Sequence, residues 1–330
     1  MKLRMLSQGD VRRAVSMAEA IEVVKSAFAQ LSAGRANVPL RTQIFFPQHN
    51  AVTLVMPAYL EDTAALGVKV VSVFPRNPEV GLPTTHALVI IVDAGTGQPI
   101  AAMDGTYLTA LRTGAASGAA TDLLARKNAH HVAILGAGGQ GRTQLLGVCQ
   151  VRQVTRVWVY DSIGERARQY VQEMRAVGGP VPGDIVPAAS AAEAVTQADI
   201  ICTATTSRTP VLSDSDLRPG VHINGIGSYS PQMQEVDERT VARAKIVVDS
   251  RVAALAEAGD LVIPLGKGII SERNIHAELG ELVLGLKPGR ENEDEVTFFK
   301  AVGNAVQDMS VAHHVLQRAS ELNLGTEVVL

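Results

Sequence analysis

The chain of 330 residues contains little cysteine, little excess charge of either sign and no long apolar run. Its two cysteines, Cys149 and Cys202, are too few for a disulfide framework or a cysteine zinc site. The net charge is −3 and no basic tract occurs, which argues against nucleic acid as a partner. Charges interrupt every apolar run, and the start, MKLRMLSQGDVRRAV, lacks the apolar core of a signal peptide. We therefore expect a cytoplasmic protein that binds neither nucleic acid nor membrane.

The sequence also lacks the motifs of two enzyme classes. It contains no H-E-x-x-H and no carboxylate cluster, and the adjacent His313 and His314 point in different directions on a helix. We therefore predict that the protein has no metal site. The absence of G-x-S-x-G argues against a hydrolase built around a nucleophilic serine.

Two domains are expected from the length and from a change of pattern along the chain. Up to about residue 110, one predicted helix near 17–33 precedes strand-like stretches such as AVTLVMP and LGVKVVSVF. Ser16 and Glu19 have the spacing of a capping box at the start of that helix. The turn DAGTG favours a hairpin, so this part predicts a largely antiparallel sheet. An alanine-rich helix, YLTALRTGAASGAATDLLARK, follows it and could link two domains.

From residue 131, strand-like stretches alternate with helical ones, which predicts a parallel sheet with helices on both faces. The strands are HVAIL, RVWVYD, DIICTAT, VHINGIG and AKIVVDS. The segment DEVTFFKAVGNAVQDMSVAHHVLQRASELNLG is interpreted as a last long helix that could be broken near Gly303. The predicted fold class is thus α/β, a doubly wound Rossmann sheet plus an α+β domain with an antiparallel sheet.

The stretch HVAILGAGGQG predicts a dinucleotide site, because its glycines follow a strand and open a helix. Gly136 would allow the turn, Gly138 would let the backbone approach a diphosphate, and Gly141 would pack the helix against the strand. Asp161 ends the next strand, where an acid can hold a ribose hydroxyl and disfavour a 2′-phosphate. NAD is therefore favoured, and Arg166 nearby leaves NADP open. The alternative is a turn in an α/β domain that binds no ligand.

Three isolated cations lie beside apolar runs in the first domain. Lys69, in ALGVKVVSVF, needs an anionic partner or an edge position if it is buried; otherwise its head reaches water. Arg41 and Arg112 could each be surface arginines. Together the three could bind a substrate carboxylate through the arginines, with the lysine supplying or withdrawing a proton.

The chain resembles the ornithine cyclodeaminase/mu-crystallin family over nearly its whole length. The resemblance rests on LVMPAY, LGVKVVSVFPRNPEVGLPT, DAGTGQPIAAMDGTYLTALRTGAAS, ILGAGGQG, DIICTATTS, HINGIGSYSPQMQEVD and GNAVQD. It implies a homodimer with a substrate-binding and dimerisation domain, residues 1–120 and 312–330, and a Rossmann domain, residues 121–311. The family interconverts amino acids with imino or keto acids using NAD or NADP.

The resemblance also implies which residues form the site. Arg41 and Arg112 match the family's ligands of the substrate carboxylate, and Lys69 matches its catalytic lysine. Thr113, Gly114 and Ser117 match positions near the nicotinamide and phosphates. The cofactor-binding set that we predict comprises Gly136, Gly138, Gly139, Gln140, Gly141, Asp161, Thr113, Ser117, Thr203, Ala204 and Thr205.

Two departures from the family pattern bear on the substrate. Tyr229 stands where cyclodeaminases carry an aspartate that handles the substrate amine, and a phenol is neutral near pH 7. We include it in the catalytic set, since its hydroxyl can hydrogen-bond. Leu54 and Val55 stand where ornithine-using members carry an acid for the distal amine. An apolar pocket there should reject a charged side chain.

These observations predict an NAD(P)-dependent reductase of small imino acids. Its substrate could be a cyclic ketimine, such as pyrroline- or piperideine-2-carboxylate, or the imine of a keto acid, as in an amino-acid dehydrogenase. One alternative is an ornithine or lysine cyclodeaminase that releases ammonia with bound NAD. The other is a non-catalytic ligand-binding protein like mu-crystallin.

Overall fold

The structure, a computed structural model, describes residues 1–330 apart from the side chain of Pro78. The chain forms two compact units. Unit 1 comprises residues 1–112 and 305–330, and unit 2 comprises residues 113–304. These limits lie near the domain limits expected from the sequence, at 120/121 and 311/312, which stay a prediction.

The first part of the chain contributes seven strands and the first helices. In chain order they are β1 (Lys2–Leu6), α1 (Gln8–Ala14), α2 (Met17–Ser32), β2 (Ala36–Asn37), β3 (Thr42–Phe46), β4 (Ala51–Leu60), β5 (Ala65–Val73), β6 (Thr85–Val92), β7 (Pro99–Asp104) and α3 (Gly105–Leu124).

Unit 2 then alternates strands and helices. They are β8 (His131–Leu135), α4 (Gly139–Val151), β9 (Arg156–Tyr160), α5 (Gly164–Val177), β10 (Ile185–Pro187), α6 (Ala191–Thr196), β11 (Ile200–Thr203), β12 (His222–Gly225), α7 (Glu238–Arg243), β13 (Lys245–Val248), α8 (Arg251–Glu257), α9 (Gly259–Gly266), β14 (Ile275–Glu278), α10 (Leu279–Val283) and β15 (Thr297–Lys300). The chain ends in unit 1 with α11 (Ala305–Glu321) and β16 (Thr326–Val329).

The sheet of unit 1 has the order β16-β1-β7-β6-β5-β4-β2, with β3 paired to β4. Only the β1–β7 pair is parallel in this sheet, so the predicted, largely antiparallel sheet is confirmed. α11 packs on β4, β5 and β6 and covers one face. The neighbouring residues Met56, Lys69 and Val89 are buried on these strands. The neighbours Val55, Val70 and Leu88 lie on the opposite face, because side chains alternate along a strand.

α2 begins where the capping box predicts. The hydroxyl of Ser16 accepts a hydrogen bond from the Glu19 amide at 3.3 Å, and the Glu19 carboxylate accepts one from the Ser16 amide at 2.8 Å. Two otherwise unpaired amides of the first turn are thereby satisfied.

The sheet of unit 2 has the order β10-β9-β8-β11-β12-β15-β13-β14, and all of its pairs are parallel. Two apolar clusters cover its faces, one around Ile223 and Phe298 and the other around Ile134 and Tyr170. The doubly wound parallel sheet predicted from the alternating pattern is confirmed.

The interpretation of residues 294–304 as helix is wrong. Thr297–Lys300 form β15, between β12 and β13, and the helix begins only at Ala305. All four residues of β15 are buried, because this central parallel strand is covered on both faces. Its sequence therefore lacks the alternation of apolar and polar residues that would have predicted a strand. Gly303, with a φ of 86°, separates strand from helix.

Within the described part of the chain, no helix combines the length and apolar character needed to cross a membrane.

Candidate functional site

Lys69 lies in the middle of β5 and is almost fully buried, with 1% of its surface exposed. Its Nζ is 2.7 Å from Oδ2 of Asp308, which lies in the first turn of α11 and is itself buried. The sequence left open whether Lys69 is paired with an anion or reaches water, and in the structure it is paired with an anion. A buried ammonium is stable only when it is paired in this way.

Arg112 joins the same carboxylate from α3. Its Nε donates to Oδ1 of Asp308 at 2.9 Å, and its Nη1 donates to Oε1 of Gln307 at 2.8 Å. Arg112 is also buried, so it is not a surface arginine. Asp308 thus holds Lys69 with one oxygen and Arg112 with the other.

Arg41, half-buried just before β3, is near enough to act on Lys69 electrostatically. Burial lowers the pKa of Lys69, the Asp308 carboxylate raises it, and the positive charges of Arg112 and Arg41 lower it, giving a pKa of about 7. The three predicted cations are thus brought together in unit 1. Two guanidinium groups and an amine thus lie near one another, and guanidinium groups bind carboxylate anions well.

Sequence reasoning missed Asp308 as a site residue. The signal for it was present, because GNAVQD belongs to the stretches that carry the family resemblance. A carboxylate among the buried residues of α11 also needs a cationic partner.

In unit 2, the glycine-rich turn follows β8 as predicted. Gly136 has a φ of 105°, and a Cβ there would lie 2.5 Å from the carbonyl oxygen of Ala204. A Cβ at Gly141 would lie 2.2 Å from the carbonyl oxygen of Gly136. A Cβ at Gly138 would meet no described atom within 4 Å, so the backbone is open there to a ligand.

α4 starts at Gly139, directly after this turn, and its N-cap residue is Gly138. A glycine has no side chain to cap the first-turn amides, which leaves them available to an anion. Gln140 lies in the same turn of helix, and its buried Oε1 has no hydrogen-bond partner among the described residues. The uncapped amides give this turn the hydrogen-bond donors that a dinucleotide diphosphate requires.

Asp161 follows β9 and is held at the same turn. Its Oδ2 accepts a hydrogen bond from the Ala137 amide at 2.9 Å, and its Oδ1 accepts one from the Ile163 amide at 2.9 Å. The carboxylate is therefore fixed beside the glycines, where an acid can accept a ribose hydroxyl.

Thr203 is the last residue of β11, and Ala204 and Thr205 follow it. The Ala204 amide donates to the Leu135 carbonyl at 2.8 Å, which holds this segment against the end of β8. Both threonine hydroxyls donate to Glu235, a buried carboxylate that sequence reasoning also missed.

The unit 2 part of α3 contains Thr113, Gly114 and Ser117, all of them buried. A Cβ at Gly114 would lie 2.2 Å from the Thr143 carbonyl oxygen, so this glycine lets α3 approach α4 closely. The buried Ser117 hydroxyl has no partner within the described structure. Tyr229, also in unit 2, is half-buried in the segment after β12.

A model of the ornithine cyclodeaminase/mu-crystallin family matches residues 1–323. A Delta(1)-pyrroline-2-carboxylate reductase of Bacillus cereus is 41% identical over 327 residues, which is 98% of this chain and 98% of that protein.

Two solved structures are similar over the full fold. The Delta(1)-pyrroline-2-carboxylate reductase of Thermococcus litoralis, in complex with NADH and L-proline, has a TM-score of 0.96 and 46% identity, covering 98% of this chain and 100% of that one. An archaeal alanine dehydrogenase dimer with bound NAD has a TM-score of 0.92 and 36% identity, with full coverage of both chains.

Proposed function

Because the chain belongs to the ornithine cyclodeaminase/mu-crystallin family, we propose that it is an NAD-dependent reductase of small imino acids. The observation that carries the proposal is the buried group in unit 1 formed by Lys69, Arg112 and Asp308. Arg112, with Arg41 nearby, provides guanidinium groups that can bind a substrate carboxylate. Lys69, held by the same Asp308 carboxylate as Arg112, provides a proton donor beside them.

Arg41 and Arg112 bind the substrate carboxylate in this proposal. The guanidinium presents several N–H donors in a fixed plane, and Arg112 uses only Nε and Nη1 in its contacts with Asp308 and Gln307. Asp308 fixes the orientation of Arg112, so less conformational freedom is lost when substrate binds.

Lys69 holds the proton that the imine nitrogen acquires on reduction. A pKa of about 7 allows the ammonium to carry this proton near neutral pH and to release it readily. When bound, NADH supplies the hydride that the imine carbon receives. The π bond of the C=N group is replaced by a C–H bond and an N–H bond while the C–N single bond remains, and Lys69 is left as a neutral amine to be reprotonated from solvent.

The glycine-rich turn and the start of α4 would hold the cofactor diphosphate, and Asp161 would accept the ribose hydroxyls. The Asp161 carboxylate would repel a 2′-phosphate, which favours NADH over NADPH. Similar proteins have been solved with NADH and with NAD, which supports this choice.

Delta(1)-pyrroline-2-carboxylate is the substrate that we propose, on the strength of the two similar reductases. Leu54 is buried on β4, two residues before Met56. By the family resemblance, its apolar side chain stands where ornithine-using members carry an acid. The neutral Tyr229 replaces the aspartate of cyclodeaminases. Both features favour reduction of a small apolar ring over cyclodeamination of a diamine.

The direct test is a substrate screen with the purified protein. We expect Delta(1)-pyrroline-2-carboxylate to drive NADH oxidation and yield proline, faster than pyruvate with ammonia does and faster with NADH than with NADPH. Ornithine and lysine, the two candidate diamine substrates of a cyclodeaminase, are assayed in parallel. Ammonia release from either, without net change in NADH, would instead identify a cyclodeaminase. Binding of NADH without its oxidation by any imino acid would identify a non-catalytic protein.

We further propose that the protein is a homodimer formed through unit 1. The sheet face opposite α11 carries Val55, Val70 and Leu88, of which Val70 and Leu88 are exposed. The adjoining β3 is exposed throughout and includes Phe45. A contiguous apolar sheet face of this kind marks a protein interface, and the dimeric state of the archaeal alanine dehydrogenase indicates a second copy as the partner.

Leu88→Glu is expected to convert this dimer to a monomer. The substitution would bury a carboxylate without a partner in each protomer, at a cost of about 3–5 kcal/mol. Val252→Glu, at an exposed position of α8 in unit 2, is the matched control. Sedimentation velocity should show a monomer only for the Leu88 variant. A monomeric wild type, or a dimeric Leu88→Glu protein, contradicts this interface.

A further inference from the structure

Glu235 is a fully buried carboxylate between β12 and α7. It accepts hydrogen bonds from two separate segments of unit 2. Its Oε1 accepts from the Thr205 amide at 2.6 Å and from the Thr205 hydroxyl at 2.8 Å. Its Oε2 accepts from the Thr203 hydroxyl at 2.9 Å and from the amides of Gly227 and Ser228 at 2.7 and 3.2 Å.

The two segments are the ones that leave the carboxyl ends of β11 and β12. These strands are neighbours in the parallel sheet, and ligands of such sheets bind at the carboxyl ends of the strands. The first segment also carries Ala204, against which Gly136 of the glycine-rich turn packs. Glu235 is thus connected to the proposed diphosphate site through the backbone of Ala204 and Thr205.

The junction leaves no space for a side chain at Gly227. A Cβ at Gly227 would lie 2.1 Å from the Thr205 carbonyl oxygen and 2.4 Å from Oε1 of Glu235. The two segments therefore touch each other directly, and the carboxylate bonds to both of them at the point of contact.

A second carboxylate fixes the backbone of Glu235 itself. Oδ1 of Asp260, at the start of α9, accepts hydrogen bonds from the amides of Glu235 and Val236 at 2.6 and 3.0 Å. Nζ of Lys300 lies 3.2 Å from Oδ2 of Asp260 and donates to the Gly225 carbonyl at 3.0 Å. Both ends of the Glu235 residue, backbone and side chain, are held by charged or polar groups.

We propose that Glu235 is a positioning residue for the cofactor, which sets the relative placement of the Thr203–Thr205 and Gly227–Ser228 segments of the dinucleotide site. This inference rests on the proposed NADH-dependent function. It assigns to Glu235 a role in cofactor affinity without direct chemistry at the reacting atoms.

An ionised carboxylate suits this task because both of its oxygens only accept hydrogen bonds. A glutamine of the same size presents one oxygen and one NH₂ group. Whichever way the amide is turned, its NH₂ faces backbone N–H donors, that of Thr205 on one side or those of Gly227 and Ser228 on the other, so at least one contact becomes repulsive. Glu235→Gln therefore separates the positioning role from the packing role.

We expect Glu235→Gln to raise the dissociation constant of NADH about tenfold, which is the loss of one charge-assisted hydrogen bond. The binding is measured on the full-length protein by calorimetry, independently of turnover. In steady-state assays, KM for NADH should rise in parallel, while kcat at saturating NADH changes little. Thr203→Val, which removes one of the donors to Oε2, should give a smaller change in the same direction.

Asp249→Asn is the matched control. Asp249 is another buried carboxylate of unit 2, and its oxygens accept from the amides of Ser250, Val302 and Gly303. Its change to an amide should lower thermal stability as Glu235→Gln does, yet leave NADH affinity unchanged. If both variants weaken NADH binding equally, the effect of Glu235 is only structural and the proposal is wrong.

The outcomes also separate this inference from the function on which it rests. A wild-type protein that fails to bind NADH overturns the proposed function. A wild type that binds NADH and reduces the imine, beside a Glu235→Gln protein with the same NADH affinity and KM, overturns the positioning role alone.

Discussion

Lys69→Met is expected to lower kcat/KM for imine reduction by about 10²–10⁴-fold, the usual contribution of a positioned proton donor. The methionine fills a similar volume in β5, but it has no proton to give and no charge for the substrate carboxylate. NADH affinity should be unchanged, because the residues assigned to the cofactor diphosphate and ribose belong to unit 2. The rate is measured from the absorbance of NADH during turnover, and the affinity for NADH is measured separately by calorimetry.

The pH profile provides a second readout of the same residue. Lys69 must be protonated to act, so kcat/KM of the wild type should be level below its pKa of about 7 and fall as the pH rises above it. Lys127→Met, at an exposed surface position, is the control and should keep both the rate and the profile. A Lys69→Met protein with a wild-type rate would rule out the proposed site.

Asp308→Asn is expected to have the largest effect on stability. It leaves the buried charges of Lys69 and Arg112 without their carboxylate, at a cost of about 3–5 kcal/mol. Because the Asp308 carboxylate raises the pKa of Lys69, its loss should also move the fall in kcat/KM to lower pH.

Denaturant unfolding across the pH range tests this argument. At pH values below the lowered pKa of Lys69 in the variant, Lys69 is charged in both folded proteins, and its bond to Asp308 stabilises the wild type in full. Between that pKa and about pH 7, Lys69 becomes neutral in the variant but stays charged in the wild type, so the difference declines. Above that pH, Lys69 is neutral in both proteins, so the part of the stability difference that it causes should shrink as the pH rises. Asp62→Asn, which removes an exposed bond to Arg35, should cost no more than about 1 kcal/mol at any pH. A stability difference for Asp308→Asn that grows above pH 7 would contradict the assignment.

Much of the local structure could be predicted because its signals are local. The capping box of Ser16 and Glu19 locates the start of α2. The alternation of short apolar strands with polar helices predicts the parallel sheet of unit 2. The glycine turn after β8 is likewise recognisable, since Gly136 and Gly141 each meet a requirement of the adjoining backbone.

The wrong prediction of a helix over residues 294–304 arises because the local signal of this segment is ambiguous. Thr297–Lys300 include two phenylalanines and a fully buried lysine, a composition that has no period of two and resembles a buried helix face. Only the neighbouring strands β12 and β13, which supply hydrogen-bond partners on both sides, decide that this segment is a strand.

The sequence by itself determined the fold class, the glycine-rich turn and the identity of the three cations, because these depend on residue type and on spacing over a few residues. It left open whether Lys69 is paired or reaches water. The tertiary structure decided that question by packing α11 on β5, which brings Asp308 to Lys69 and Arg112 from a distant part of the chain. Glu235 acquires its five donors in the same way, from the ends of two strands. Partners of buried charges come from long-range packing, which local sequence patterns do not encode.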